Sequence, residues 1–130
     1  MERRTIPGET VQTVERELRE IVERAGEGDG DFAADVRVLA SREPFEVPKS
    51  ERIAEVVHRH ASAVLGAEPD FVGVPYWADS ALLAEAGIPT VLFGPRGGGS
   101  HAEVEWADVE SLERCVEIFA AVAEELCGRT

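Results

Sequence analysis

The spacing of apolar residues predicts three long helices. Apolar positions recur at three- and four-residue steps in three stretches, which is the spacing of one helix face. The first stretch has Thr10 as a candidate N-cap and Gly26 as a candidate stop. The second follows a candidate N-cap at Ser50 and ends before Gly66, and the third follows a candidate N-cap at Asp108.

Three other stretches predict strands. "FAADVRVLA" (32–40) alternates in the manner of a half-buried strand, and "FVGVPYW" (71–77) is a short apolar run. "IPTVLFG" (88–94) is almost continuously apolar, which is typical of a strand covered on both faces. Between the last two, "DSALLAEAG" (79–87) predicts a short helix that stops at Gly87. Because helices and strands alternate, the expected fold is α/β with an at least partly parallel sheet.

Composition places this chain among globular proteins. It has 130 residues, of which 44% are apolar, and it contains no apolar run near the ~20 residues that span a bilayer. The first residues lack the apolar core of a signal peptide, so we expect a cytoplasmic protein without a membrane partner. The two cysteines are expected to be small, buried and reduced residues.

The charge balance argues against a nucleic-acid partner. The net charge is −13, whereas binding to a phosphate backbone needs clustered lysine and arginine. Lys49 is the only lysine beside twelve arginines and twenty-six acidic residues. Such an acidic surface suggests a protein from a high-salt cytoplasm, which is a hypothesis about solubility rather than chemistry.

The loop "GPRGGGSHAEVEW" (94–106) is the strongest candidate for a functional site. Its four glycines predict positive φ angles or a close backbone approach. The loop lacks the spacing and the lysine of a P-loop, which disfavours phosphate binding. His101 could bind a metal, but zinc takes three or four ligands. His58 and His60 lie two apart on a predicted helix and cannot chelate together. The residues alone therefore supply a candidate metal ligand, His101, but not a complete ligand set.

Two motifs resemble one known family. "WADSALLAEAGIPTVLFGPRGGGSHAEVEWADVESL" (77–112) resembles the C-terminal segment of the zinc-dependent acetylornithine deacetylase, succinyl-diaminopimelate desuccinylase, aminoacylase and carboxypeptidase G family. "ERRTIPGE" (2–9) resembles that family's Asp-x-Arg-x-x-Pro-Gly motif, which closes a strand of its lid, or dimerisation, domain. The resemblance implies a partial lid domain at 1–48. It also implies the C-terminal part of a layered α/β catalytic domain at 49–130.

The resemblance also implies roles for individual residues. His101 matches the histidine that binds one of the family's two zinc ions, and Asp79 matches an aspartate that helps order the site, although an N-cap of the following helix accounts for Asp79 equally well. Glu105 matches the acidic residue of an acidic-aromatic pair, and we expect it to orient the loop or a helix N-terminus rather than take protons. Arginine has a planar fork that suits a substrate carboxylate. The residues expected to face substrate are Arg4, Gly94, Arg96 and Gly97.

Departures from the family pattern limit these expectations. Glu2, Ala78, Ser80 and Val104 replace the family's usual residues, which puts substrate preference in doubt. The His-x-Asp pair, the bridging Asp and the Glu-Glu pair of the family's first half are not in this sequence. We therefore expect the C-terminal portion of an amidohydrolase acting on N-acyl amino acids or small peptides, inactive alone. The alternative is a non-catalytic module that associates with itself or with a separate catalytic half.

Overall fold

Four helices and one short two-stranded sheet form the regular part of residues 1–128, which the computed structural model describes. The pattern predicted all four helices, and their bounds lie within one or two residues of the expected ones. They are α1 (Val11–Gly26), α2 (Arg52–Leu65), α3 (Ser80–Glu85) and α4 (Val109–Cys127).

The helix ends show why these stretches are helical. The Thr10 hydroxyl accepts a hydrogen bond from the Thr13 N–H at 3.2 Å and thereby caps α1, as predicted. α2 ends at Gly66, whose φ of 70° is left-handed and whose N–H donates to the Ser62 carbonyl. The predicted cap at Ser50 is wrong by one residue. The N-cap is Glu51, and its side chain makes no capping hydrogen bond.

The chain divides into two compact units, and each is described by itself. The first contains Met1–Glu46 with Pro75–Ala81, and the second contains Val47–Val74 and the residues from Leu82 onward. The division into a lid and a catalytic part at 48/49 remains a prediction, and residues 129 and 130 of its second part lie outside the described residues.

Packing of α2 on α4 forms the core of the second unit. Its buried cluster joins three residues of α2 to two of α4. Val91 and Phe93 pack against this cluster, and the Phe93 ring meets Phe119 edge-on at 5.8 Å. The buried members are Val56, Val57, Ala61, Ile118 and Val122.

In the first unit, α1 carries its apolar face without burying any residue. Arg19 donates to the Val36 carbonyl oxygen at 3.0 Å, so the segment after α1 lies along the helix. The Phe32 ring lies so close to Gly26 that a Cβ there would be 2.9 Å from it. The predicted helix therefore forms, but its hydrophobic side remains partly exposed to solvent.

The three strand predictions are wrong for the described residues. Segments 32–40, 71–77 and 88–94 have no strand assignment, and the described chain pairs only Gly97–Gly98 (β1) with Trp106–Ala107 (β2). A strand is defined by its ladder partner, whereas the apolar pattern specifies only which side chains face a core. Segment 88–94 is covered on one face, since Leu92 remains 47% exposed.

Candidate functional site

The glycine-rich loop forms the two arms of a short hairpin. β1 and β2 are antiparallel, with Gly97 opposite Ala107 and Gly98 opposite Trp106. A Cβ on Gly97 would lie 2.6 Å from the Trp106 carbonyl oxygen, and one on Gly98 would lie 3.0 Å from the Trp106 indole nitrogen. Gly99 has φ +75°, and a Cβ there would lie 2.1 Å from the Val104 carbonyl oxygen.

The predicted close approach or positive φ is thus confirmed for Gly97, Gly98 and Gly99, and the atoms that approach them belong to residues 104–107 of the same chain. The prediction is wrong for Gly94. Gly94 differs from the three glycines after it, because a Cβ added there would have no atom within 4 Å and its φ is not positive. Three glycines of the loop therefore have a structural reason that requires no ligand. Contact between Gly94 or Gly97 and a substrate remains a prediction.

A hydrogen-bond network fixes the base of the hairpin to the start of α4. The Asp108 carboxylate accepts from the Ser111 N–H at 2.7 Å, which is the predicted N-cap. The Ser111 hydroxyl donates to the Asp108 carbonyl at 2.7 Å and accepts from the Arg96 N–H at 3.0 Å. The Asp108 N–H in turn donates to the Arg96 carbonyl at 2.9 Å. These hydrogen bonds attach the base of the loop to the first turn of α4.

Asp108 also lies beside a cation. The Arg96 guanidinium is 3.4 Å from the second carboxylate oxygen of Asp108. The Ser111 backbone N–H above all, and Arg96 in addition, hold the pKa of the Asp108 carboxyl below its usual value. Arg96, expected to face substrate, thus has an ion-pair partner in its own chain. Its side chain is largely exposed, so binding a substrate carboxylate would mean exchanging one carboxylate for another.

His101 lies in the turn that the hairpin presents to solvent. It is the one described non-glycine residue with a positive φ, at 63°. Left-handed backbone is uncommon for residues with a side chain. The Ala102 N–H donates to the Gly99 carbonyl at 2.7 Å and closes the turn around it. The His101 side chain is exposed, and within residues 1–128 no hydrogen bond or ion pair engages its imidazole.

The described residues do not by themselves fit a zinc ion. Zinc takes four protein ligands in structural sites and three in catalytic ones. Within residues 1–128, no three His, Cys, Asp or Glu side chains come together in a group that could hold a metal. His101 and Glu105 are both exposed, so the loop offers one imidazole without a completed ligand set.

The other two histidines have different partners, as their spacing predicted. His58 stacks on Phe71 at 4.8 Å, and its Nε2 lies 2.9 Å from the Pro69 carbonyl oxygen. His60 Nε2 lies 2.7 Å from a carboxylate oxygen of Glu125. Both rings are therefore engaged, and His101 is the described histidine that remains available.

Arg4 and Asp79 belong to the first unit. The Arg4 guanidinium donates to the Pro75 carbonyl at 2.8 Å and pairs with Glu2 at 2.8 Å. Asp79 directly precedes α3 and is exposed. These contacts give Arg4 a role in holding segment 75–81 to the N-terminal residues. Its predicted substrate contact remains a prediction, and so does the ordering role of Asp79.

Sequence reasoning missed two residues that shape the loop. Ser111 is buried and joins Arg96 to Asp108, and Trp106 covers Gly98. The Asp108-x-x-Ser111 spacing could have indicated the role of Ser111. A serine three residues after an N-cap has its hydroxyl in the first helical turn, near the cap residue. No pattern indicated that the indole would lie on a glycine of the opposite strand.

Comparison with known proteins identifies the family. The model of peptidase family M20/M25/M40 matches residues 5–125, so this chain belongs to that family. Membership supports a peptidase- or amidohydrolase-like function, in a family whose members generally depend on metal. No solved structure matches the chain. No helix among the described residues is long and apolar enough to cross a bilayer.

Proposed function

We propose that this chain is the C-terminal portion of a zinc-dependent amidohydrolase that cleaves the amide bond of N-acyl amino acids or small peptides. The observation that carries the proposal is the exposed imidazole of His101, on a hairpin fixed to α4 in a chain of the M20/M25/M40 peptidase family. In this proposal His101 supplies one ligand to one of two zinc ions. The remaining ligands and the general base come from outside the described residues.

The substrate side of the proposal rests on charge. An N-acyl amino acid or a peptide carries a free carboxylate, and guanidinium groups bind carboxylates through paired hydrogen bonds. Arg96 is the better placed of the two candidate arginines, because it lies in the same unit and the same loop region as His101. The loop would supply orientation and one metal ligand, while Asp79 and Glu105 would order the site.

A zinc titration followed by the histidine side-chain NMR signals tests the metal role. We expect zinc chloride to shift the His101 signals at the lowest concentration, because the other two imidazoles already have hydrogen-bond partners. His101→Ala should remove this response, and His60→Ala should leave it. A first response at His58 or His60, or a response unchanged in His101→Ala, would refute the role of His101.

A separate assay tests whether the chain is only a portion of an enzyme. With zinc and N-acetyl amino acids, we expect turnover at least about a thousandfold below the ordinary enzyme range of about 1–10³ s⁻¹. Metal-dependent turnover within that range would show a complete active site and overturn this part of the proposal. The DNA upstream of the Met1 codon should encode the missing His-x-Asp and Glu-Glu motifs.

A second candidate function, association without catalysis, is favoured by one observation in the first unit. No residue of α1 is buried, and Leu39 in the following segment is 94% exposed. Exposed apolar surface of this kind marks interaction sites. Light scattering of the purified chain tests this alternative. A dimer that Ile21→Glu converts to a monomer would support it, and a monomeric wild-type chain would exclude self-association.

A further inference from the structure

Segment 75–77 of the first unit presents two aromatic side chains to solvent. Tyr76 is 55% exposed and Trp77 is 39% exposed. Within residues 1–128, no other aromatic ring stacks on either side chain, and no hydrogen bond engages the Tyr76 hydroxyl. Aromatic side chains line many small-molecule sites, because each offers a rigid apolar surface, and tyrosine and tryptophan add a polar group. These two rings are therefore available to a ligand.

One cation of the same unit lies over the Trp77 ring. The guanidinium carbon of Arg42 is 5.8 Å from the ring centroid, which is a cation–π arrangement. One Arg42 nitrogen donates to the Ser41 carbonyl oxygen at 2.9 Å. Among the described residues, no carboxylate pairs with Arg42, whereas Arg37 pairs with Asp35 at 2.8 Å. Arginine carries more N–H donors than this one bond uses, so Arg42 keeps donors for an anion from outside the chain.

The backbone of segment 75–77 is fixed within its own unit. The Arg4 guanidinium donates to the Pro75 carbonyl oxygen at 2.8 Å, although the two residues are 71 positions apart in the sequence. Arg42 holds the Trp77 ring from a third part of the chain. A ligand would therefore meet side chains whose positions are already restrained, which lowers the entropic cost of binding.

The charges indicate what kind of ligand fits. A planar guanidinium binds a carboxylate through paired hydrogen bonds, and one that is stacked on an aromatic ring still presents its edge to the anion. The chain has a net charge of −13, which repels polyanions more strongly than a ligand with a single negative charge. An aromatic group on the ligand would cover the exposed parts of Tyr76 and Trp77. These features favour a small aromatic monocarboxylate.

We propose that Arg42, Trp77 and Tyr76 form a binding site for a small carboxylate that carries an aromatic ring. The ligand carboxylate accepts hydrogen bonds from the Arg42 guanidinium. The ligand ring packs on the exposed parts of the indole and the phenol. The inference is independent of the proposed hydrolysis, because it uses no residue of the His101 loop and requires no metal ion.

Tryptophan fluorescence in the absence of zinc tests the proposal. Trp106→Phe leaves Trp77 as the only tryptophan, because the chain has two. We expect sodium phenylacetate, at an ionic strength held constant with sodium chloride, to change the Trp77 emission saturably, with half-saturation below about 10 mM. Cyclohexylacetate keeps the charge without the aromatic ring, and phenylacetamide keeps the ring without the charge. Each of these controls should bind at least about threefold more weakly.

Two arginine variants in the Trp106→Phe background locate the site. Arg42→Gln should weaken phenylacetate binding at least about threefold, because it removes the charge and most of the N–H donors. Arg37→Gln is the matched control, since Arg37 is also exposed in the first unit but already pairs with Asp35. It should leave the affinity unchanged. Both substitutions are at exposed positions, and circular dichroism confirms that helix content is kept.

An NMR measurement on the unaltered chain does not depend on variants. Phenylacetate should shift the Arg42 Nε–H signal and leave that of Arg37 unchanged. No saturable change in emission, together with an unshifted Arg42 signal, would overturn the site. Equal binding of cyclohexylacetate would overturn the ring contact, and equal binding of phenylacetamide would overturn the carboxylate contact. An effect of Arg37→Gln as large as that of Arg42→Gln would show that general charge, rather than this site, attracts the ligand.

Discussion

Gly99→Ala is the substitution expected to disturb the His101 loop most selectively. The new methyl carbon would lie 2.1 Å from the Val104 carbonyl oxygen and 3.1 Å from its carbonyl carbon. Both atoms belong to the backbone of the opposite arm, so no side-chain rotation relieves the overlap. The φ of +75° adds conformational strain, because left-handed backbone costs an L-residue roughly 1–2 kcal/mol.

A comparison of the strain energy with the stability of the hairpin indicates which part of the molecule changes in Gly99→Ala. Strain and overlap together reach at least the ~1–2 kcal/mol of the backbone conformation alone. The hairpin that opposes them pairs only two residues on each arm, and a backbone hydrogen bond contributes about 0.5–1.5 kcal/mol net. The two quantities are of similar size, so we expect the hairpin to open. The α2–α4 core, whose cluster includes no residue of the loop, should stay folded.

Hydrogen exchange of residues 97–107 measures the opening. In Gly99→Ala these amides should exchange at least about tenfold faster than in wild type, while the circular dichroism of the helices is unchanged. Gly94→Ala is the matched control, since nothing lies within 4 Å of its new methyl group and its φ is not positive. It should leave exchange unaltered. Equal exchange in the two variants would refute the reasoning from close approach.

Two further substitutions test the helix pair. Ile118→Ala should lower the free energy of unfolding by about 2–5 kcal/mol in urea titrations, because Ile118 is 1% exposed at the centre of the core; a loss as small as that of the exposed control Val116→Ala would contradict this. Glu125→Gln should lower stability at neutral pH, because Arg59 foremost, and His60, hold the pKa of Glu125 below its usual 4.5. This stabilising contribution is present above pH 4.5 and is lost as the pH falls through the lowered pKa. The unfolding free energies of wild type and variant should therefore converge at acid pH. A difference that stays constant with pH would contradict the assignment.

The sequence predicted the local features of the fold well. Thr10 and Asp108 begin their helices and Gly66 ends one, because a cap acts on backbone groups within three or four residues of itself. The glycine-rich loop was predicted for the same local reason. Its run of glycines indicated a close backbone approach, although the sequence did not show which segment would approach. The N-cap of α2 was predicted one residue too early, at Ser50. The observed cap at Glu51 makes no side-chain hydrogen bond, so the sequence carries little indication of its position.

The candidate site could be predicted only in part. His101 was singled out from its place after a glycine loop and from the family resemblance, and membership of the M20/M25/M40 peptidase family is confirmed. Its left-handed backbone and its attachment to α4 through Arg96 and Ser111 were not predicted, because they depend on which arm faces which. Substrate contacts of Arg4 and Arg96 remain predictions, and both guanidinium groups have partners within their own units.

The sequence by itself determined the helices, the turn-forming glycines and the family. These follow from periodicity, capping chemistry and motif spacing, which act over short stretches of chain. Only the tertiary structure decided that segments 32–40, 71–77 and 88–94 stand without ladder partners among the described residues. A strand depends on hydrogen bonds to a distant segment. An apolar pattern indicates which side chains face a core, and it cannot specify whether a neighbouring strand is present to pair with the backbone.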